Sequence, residues 1–225
     1  MKIAIYTLTR ERLEYSKLCL NSIKDKSGYP FDHYIIDNGS MDDTPKWLEE
    51  NKLMFKKIVY NSENLGIAKA ANIILKEIKK SEYDIIIKMD NDCMIKSNNI
   101  LKEIVKIYNS LGNEKKNFIL SPRVEGIGKQ PRRVRYIDKE GYKIGMTSIV
   151  GGLFHIVPIE IYKNYIFQEK LPKASGNDSH FCGWAKNKGK TVGYIENLVV
   201  EHYETTGGQY KRYPDYYKRK FKEEK

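Results

Sequence analysis

The chain has 225 residues, of which 40% are hydrophobic and 31% are charged, and its formal net charge is +11. This length and composition allow a substantial core and exclude wholesale disorder, while the apolar runs are too short and too interrupted to cross a bilayer. Residues 111–225 contribute +9 of the charge. This asymmetry indicates either an anionic partner beside the second half or a solvated basic face.

The three cysteines, Cys19, Cys93 and Cys182, are widely spaced and form no CxxC pair. The sequence therefore predicts neither a disulfide framework nor a zinc site. The first residues, MKIAIYTLTR, lack the apolar core and cleavage site of a secretory signal and instead indicate a first strand. We therefore expect a cytoplasmic protein in a reducing compartment.

The first half of the chain alternates short β-rich runs with helical patterns, which is typical of an α/β fold with a mostly parallel central sheet. Strands are predicted at residues 3–7, 33–36 and 57–60 and in the apolar run 85–95, IIIKMDNDCMI. Helices are predicted at about 11–24, after residues 42–45, and at 67–78, where apolar residues recur at helical spacing.

The second half has a mixed pattern. It predicts a helix at 100–111, a strand at 118–120, a hairpin around 139–141, a strand at about 148–157 and a short helix after Pro158. A helix at 177–187, ended by Gly189, precedes strands at 191–196 and 198–202. The last 16 residues combine seven lysines and arginines with five aromatic residues, which favours a peripheral tail over core.

Polar residues follow three of the predicted parallel strands. They are Thr7, Thr9 and Arg10 after the first strand, Asp37 after the second, and Asp90, Asn91 and Asp92 after the fourth. Ligands of open α/β sheets bind at the carboxyl ends of strands, so these residues are the first candidates for a site. Two carboxylates at one strand end repel each other unless a hard cation such as Mg²⁺ or Mn²⁺ lies beside them. Alone, a D-x-D match is usually only a turn or a helix cap, and Asp37 also fits an Asx-turn.

The run NSENLGIAKAANIIL indicates a phosphate-binding site. Asn64 and Gly66 precede a predicted helix, whose N-terminal amides could face an anion together with Lys69. Divalent cations are commonly shared with substrate phosphates, so the two signals support each other. An ordinary turn before a helix is the alternative interpretation.

Taken in order, the segments YTLTR, DNGSMDDT, NLGIAKAAN, KMDND, GGLFHI and GNDSHFCGWAKNKGKTVGYIENLVVEHY resemble the family-two glycosyltransferases of the GT-A fold, from residue 2 to about 204. The resemblance implies a single GT-A domain over residues 1–205, with a nucleotide-binding half at 1–95 and an acceptor half at 96–205. Residues 206–225 would form the basic, aromatic tail.

The resemblance also implies roles for residues. Thr7 and Asp37 match positions that hold the nucleotide base, usually uracil, and Asn64 and Lys69 match positions near the ribose and diphosphate. Asp90 matches the ribose- or sugar-side carboxylate. It also counts among the expected metal ligands, together with Asp92, which matches the direct ligand, and His202, which matches a further one. Asp178 matches the catalytic base, and Gly151 and Gly152 belong to a motif on the acceptor side.

The sequence departs from the family pattern at Asn177, where a glutamate is usual, and this leaves the acceptor open. The resemblance implies a metal-dependent, inverting transfer from a nucleotide-sugar, with UDP-sugars the first expectation, to a glycan, lipid-linked or protein acceptor. Displacement of the diphosphate builds negative charge, which a bound Mn²⁺ or Mg²⁺ would stabilise. Asp178 would take the proton of the attacking hydroxyl.

Three alternatives compete with this interpretation. A sugar nucleotidylyltransferase usually has a glycine-rich loop after the first strand, and TLTRERLEY has no glycine. A nucleic-acid-binding protein would use Arg132, Arg133 and Arg135, but no recognition motif supports it and no nucleic acid is expected. An inactive binding protein would not need to keep a base and metal ligands. A further hypothesis is that Arg132, Arg133, Arg135 and the tail contact an anionic membrane surface or glycan.

Overall fold

The structure is a computed structural model, which describes residues 1–170, 176–204 and 207–223. One ten-stranded sheet forms its centre, and nine of the strands follow the spatial order β3-β2-β1-β4-β9-β6-β10-β8-β7. The strands are β1 (Ile3–Thr9), β2 (Asp32–Asn38), β3 (Lys57–Asn61), β4 (Ile85–Met89), β5 (Cys93–Ile95), β6 (Phe118–Glu125), β7 (Arg135–Lys139), β8 (Tyr142–Met146), β9 (Phe154–Pro158) and β10 (Thr191–His202).

Eight α-helices accompany the sheet in the described ranges. They are α1 (Leu13–Lys26), α2 (Thr44–Glu50), α3 (Ile67–Ile78), α4 (Ile100–Ser110), α5 (Ile159–Lys163), α6 (Asn177–Asn187), α7 (Gly208–Arg212) and α8 (Pro214–Glu223). None of these helices combines the length and apolar character that a bilayer crossing requires.

The two halves of the sheet differ in direction, as the change of sequence pattern predicted. Strands β1 to β4 pair in parallel, whereas β9 pairs antiparallel with β4 and β6, and β7, β8 and β10 also pair antiparallel. All five residues of β4 are buried, which explains why this central strand reads as a continuous apolar run. Its carboxyl end therefore delivers the polar residues that follow to the middle of the sheet edge.

Helix α3 begins and ends where the periodicity predicted. Ala70, Ala71, Ile74 and Ile78 form its apolar stripe and are fully buried. Gly66 precedes the helix with φ +79°, a conformation that glycine adopts without the steric cost of a Cβ. The three cysteines are buried and unpaired, as expected.

Several predicted boundaries are wrong. The run 85–95 is two strands, because Asp90–Asp92 form a turn between β4 and β5. The strand predicted at 118–120 extends to Glu125, since it pairs in parallel with β10 along its length. The strand predicted at 148–157 starts only at Phe154, and the two strands predicted at 191–202 are one strand with a register shift between Ile195 and Val199.

The prediction of a peripheral tail is also wrong for the described residues 207–223. They form α7 and α8, in which Gln209, Tyr216 and Tyr217 are buried. Gln209 and Tyr216 contact Arg12 in the first half of the chain, which composition alone cannot reveal. Residues 207–223 are therefore part of the folded body.

Candidate functional site

A cavity of about 630 Å³ lies beside the carboxyl ends of β1 and β4. Seven predicted site residues line it: Thr9, Arg10, Asn64, Asp90, Asn91, Asp92 and His202. Its volume falls within the range of small-molecule sites. The structure thus gathers residues that are far apart in the chain at one edge of the sheet.

Strand pairing brings Asp92 and His202 together. Asp92 directly precedes β5, which runs antiparallel to the end of β10 so that Cys93 is opposite His202. The backbone N–H of Tyr203 donates to the carbonyl of Asp92 at 2.9 Å. As a result, His202 Nε2 lies 3.3 Å from Asp92 Oδ2.

Asp92 is a buried carboxylate surrounded by donors. Its Oδ2 accepts hydrogen bonds from Arg12 Nη1 at 3.1 Å and from Gln209 Nε2 at 3.2 Å. Burial alone would raise the pKa of Asp92, but the hydrogen bond from His202 and the charge of Arg12 outweigh burial and hold this pKa below its usual range. Asp92 is therefore ionised at neutral pH.

Arg12 lines the cavity but was not singled out by the sequence analysis. Its Nη2 donates to Asn91 Oδ1 at 2.9 Å, and its Nη1 contacts both Asp92 and Gln209. Glu11 and Arg12 have φ values of +53° and +57°, a left-handed turn that costs roughly 1 kcal/mol or more per non-glycine residue. This turn lies between β1 and α1, which is why α1 begins at Leu13 and not near residue 11. No pattern in TLTRERLEY predicts this left-handed turn.

A buried lysine links the turn after β4 to Gly152. Lys88 Nζ donates to Asp90 Oδ1 at 2.8 Å and to the carbonyl of Gly152 at 2.5 Å. The N–H of Gly152 in turn donates to Asp178 Oδ2 at 3.0 Å. Burial raises the pKa of Asp90, although the charge of Lys88 counteracts this effect. Asp178 lies outside the cavity lining but is tied to it through this chain of contacts.

The spacing of the potential ligand atoms of Asp92 and His202 fits a small metal ion. Adjacent ligand atoms on an octahedral ion lie about 3 Å apart when the metal–ligand bonds are about 2.1 Å, close to the separation of Asp92 Oδ2 and His202 Nε2. Within the described ranges, no three His, Cys, Asp or Glu side chains converge as a metal-binding group. Asp90, the third predicted ligand, has its Oδ1 on Lys88. The residues present thus fit a cation held by two protein ligands, with its other positions open to phosphate or water.

Four predicted donor-side residues lie outside the lining. Thr7 is fully buried, and its Oγ1 is 3.0 Å from His33 Nε2. Asp37 is buried and accepts a hydrogen bond from Thr9 Oγ1 at 3.1 Å; burial raises its pKa. Lys69 points to solvent, and the N–H of Gly66 donates to Asn64 Oδ1 at 3.0 Å. The lining also includes twelve residues that were not predicted as site residues, among them Arg12, Gln209, Tyr216, Tyr217 and Lys220.

The residues predicted for the acceptor side cluster around Asp178. A Cβ on Gly152 would lie 2.3 Å from Asp178 Oδ1, whereas a Cβ on Gly151 would meet nothing within 4 Å. Asn177 is buried, and its side-chain amide has no hydrogen-bond partner within the described residues, which exclude 171–175. Ala174 and Ser175, which precede Gly176 and this helix in the sequence, lie outside the described residues. A residue other than glycine at position 152 would displace the Asp178 carboxylate.

Comparison with known sequences finds one family. The model of glycosyl transferase family 2 matches residues 4–182. No curated protein matches the chain.

Three solved structures of similar fold have low sequence identity to the chain. S. aureus TarS 1–349 in complex with UDP-GlcNAc has a TM-score of 0.68 and 16% identity, over 91% of this chain and 59% of that chain. The mannosyltransferase PcManGT from Pyrobaculum calidifontis, in complex with GDP-Man and Mn²⁺, has a TM-score of 0.67 and 16% identity, over 94% and 59%. GalNAc-T7 with UDP, GalNAc and Mn²⁺ has a TM-score of 0.71 and 13% identity, over 90% and 43%.

These likenesses establish the fold. The neighbours are GT-A glycosyltransferases, so the predicted GT-A fold of the chain is confirmed. The chain spans about 60% of TarS 1–349.

Proposed function

The chain belongs to glycosyl transferase family 2, and on that premise we propose that it transfers a sugar from a nucleotide-sugar donor to an acceptor hydroxyl. One observation carries the proposal. Asp92 and His202 meet at 3.3 Å on the wall of a cavity that Thr9, Arg10 and Asn64 also line. An ionised carboxylate beside an imidazole, in a cavity of suitable size, is the arrangement that docks a diphosphate through a divalent cation.

The proposed donor is a UDP-sugar. Structural neighbours were solved with UDP-GlcNAc and with GDP-Man, so either nucleotide is compatible with this fold. The sequence resemblance places uracil at Thr7 and Asp37, yet both side chains are buried outside the cavity lining. Base contacts at Leu8, Thr9 and Asn38, which do line the cavity, are therefore part of the proposal.

Asp92 and His202 would hold the proposed cation, Mn²⁺ or Mg²⁺. When bound, such an ion supplies positive charge that stabilises the departing diphosphate. Arg12 orients Asp92 through its hydrogen bond at 3.1 Å and adds a second positive charge in a buried setting. Asp90, tied to Lys88, is positioned for the ribose or the sugar.

Asp178 is the proposed general base. The N–H of Gly152 fixes one carboxylate oxygen, which leaves the other for the acceptor hydroxyl. The hydroxyl oxygen attacks the anomeric carbon and loses its proton to Asp178, while the bond from that carbon to the diphosphate oxygen breaks. Attack from the face opposite the leaving group inverts the anomeric centre. Such proton transfer contributes roughly 10²- to 10⁴-fold.

Contacts within the fold weaken two hypotheses about the partner: binding of nucleic acid through Arg132, Arg133 and Arg135, and contact of the C-terminal residues with an anionic membrane. Arg133 pairs with Glu196 at 2.7 Å and lies over the ring of Tyr194, so its charge is already used within the fold. Tyr216 and Tyr217 face the cavity and are not available to a membrane. The acceptor stays undefined, and the exposed Arg132 and Arg135 remain candidates for an anionic one.

Donor binding tests the proposal directly. In a thermal-shift panel of UDP-, GDP-, CMP- and dTDP-sugars, we expect a UDP-sugar to raise the melting temperature only when Mn²⁺ is present. Asp92→Asn should abolish this shift, because the variant lacks the ionised ligand. Asp25→Asn, which removes an exposed carboxylate of α1, is the matched control. The metal assignment fails if a nucleotide-sugar stabilises chelator-treated protein as strongly as metal-loaded protein.

A further inference from the structure

We propose that α8 forms one wall of the donor site and that its Lys220 binds the diphosphate of the nucleotide-sugar. This inference rests on the proposed function and adds a binding residue from outside the matched segment, residues 4–182. Lys220 lines the same cavity as Asp92 and His202. The resemblance gave this task to Lys69, which is exposed and outside the lining.

Contacts with the first half of the chain fix α8 in place. Arg219 forms an ion pair with Glu11, whose side chain is buried. The ring of Tyr216 packs against the guanidinium groups of Arg12 at 5.0 Å and Arg10 at 5.7 Å. These contacts come from the left-handed turn after β1, so the wall has a defined position relative to the end of that strand.

Helix α7 adds a second anchor. The hydroxyl of Tyr217 donates to Gln209 Oε1 at 2.5 Å, and Gln209 in turn bonds both Arg12 and Asp92. Tyr217 lies on α8, one helical turn before Lys220. The position of Lys220 is therefore tied to the carboxylate that is proposed to hold the cation.

The charge balance of the cavity favours an anion at Lys220. The two carboxylates of the lining each have a cationic partner, Lys88 for Asp90 and Arg12 for Asp92. No ion pair joins Lys220 to a side chain that the structure describes; its Nζ lies 5.7 Å from the ring centroid of Tyr217. A lysine ammonium in a concave site, beside a bound cation, binds phosphate as a point charge.

The same helix offers a matched control. Lys218 is 75% exposed and pairs with Asp215 at 3.3 Å, so its charge faces solvent on another side of α8. Lys218→Gln and Lys220→Gln remove the same charge from the same helix and lower the net charge of the protein equally. Only the second change removes charge from the cavity.

Isothermal titration of UDP and GDP, each with Mn²⁺, and of uridine and guanosine tests the role. For the diphosphate that the wild-type protein binds, Lys220→Gln should raise Kd roughly 10- to 100-fold, as expected for a lost charge-assisted contact. Lys220→Arg should restore most of the affinity. Lys218→Gln should leave Kd within about twofold of wild type.

The phosphate-free nucleosides and salt supply two further readouts. Binding of the matching nucleoside, where it is measurable, should not distinguish Lys220→Gln from wild type. The Kd of the wild-type protein for the diphosphate should rise more steeply with NaCl than that of Lys220→Gln, since screening acts on the charge that was removed.

The outcomes separate the two proposals. If the wild-type protein binds neither diphosphate, the proposed function fails and this inference fails with it. If the wild-type protein binds one of them and Lys220→Gln behaves as Lys218→Gln does, the role of Lys220 is wrong while the proposed function stands. Equal melting temperatures of the three variants and the wild-type protein would exclude misfolding as the cause of a loss.

Discussion

Gly152 is a single position at which the geometry of the proposed base can be changed without touching the base. Its N–H holds Asp178 Oδ2 at 3.0 Å, and a Cβ added there would lie 2.3 Å from Asp178 Oδ1. In Gly152→Ala the carboxylate must move, and a displacement of about 1 Å at a reacting group can cost roughly 10²-fold in rate. We expect the rate of sugar transfer to water or to an acceptor, measured as UDP release, to fall accordingly.

Two variants calibrate that result. Gly151→Ala places a methyl group where nothing lies within 4 Å and should keep the wild-type rate. Asp178→Asn should lower the rate at least as far as Gly152→Ala while both variants still bind the donor. A wild-type rate in Asp178→Asn would show that another group accepts the proton.

At the scale of elements, α7 is attached to the site mainly through one side chain. Gln209 accepts from Arg12 Nη1 at 2.9 Å and donates to Asp92 Oδ2 at 3.2 Å and to the carbonyl of Tyr203 at 2.7 Å. Each buried hydrogen bond contributes about 1 kcal/mol, so Gln209→Ala should open α7 and α8 more often. Amides in 208–223 should exchange at least tenfold faster. A tenfold change corresponds to a loss of about 1.4 kcal/mol in the free energy of local opening.

The control for this prediction lies on the same short helix. Lys211 is exposed, and Lys211→Ala should leave the exchange of 208–223 unchanged. Amides of α3 should exchange at wild-type rates in both variants. Equal exchange in Gln209→Ala and wild type would mean that the aromatic contacts of α8 hold both helices without Gln209.

The elements also show what the sequence could predict. Helices α3 and α6 have the predicted bounds, because a local apolar period and local end signals determine where such helices start and stop. The bulge in β10, by contrast, depends on its register against β6. The docking of α8 depends on Arg10 and Arg12, more than 200 residues away in the chain. Long-range partners of this kind leave no local pattern.

The candidate site also has residues that the sequence predicted and residues that it did not. Asp92 and His202 were predicted together from motif order, and the pairing of β5 with β10 provides the physical reason. Lys88 and Arg12 were missed because a lysine in an apolar run and an arginine in a turn become informative only when their carboxylate partners are known.

At the scale of the whole molecule, stability should depend on pH through buried neutral histidine. His33 packs against Phe31 and Phe55 and contacts Thr7 Oγ1, all uncharged groups, and burial lowers its pKa to about 3. Burial also lowers the pKa of His155. An unfolded histidine has a pKa of about 6.5, so below that pH the unfolded state binds a proton that the folded state does not. Acidification from pH 6.5 towards 3 therefore destabilises the fold.

The size of this effect can be measured in His33→Gln. His33 removes about 1.4 kcal/mol of unfolding free energy per pH unit below about 6.5, or roughly 2 kcal/mol at pH 5, because its folded pKa is about 3. His33→Gln should be less stable than wild type at pH 7.5, because it disturbs the contact with Thr7, yet its urea denaturation midpoint should fall less between pH 7 and pH 5. His180→Gln changes an exposed histidine and retains both buried ones, so it should keep the wild-type slope. Parallel pH profiles for His33→Gln and wild type would show that His33 is protonated in the folded protein, and the burial argument would then be wrong.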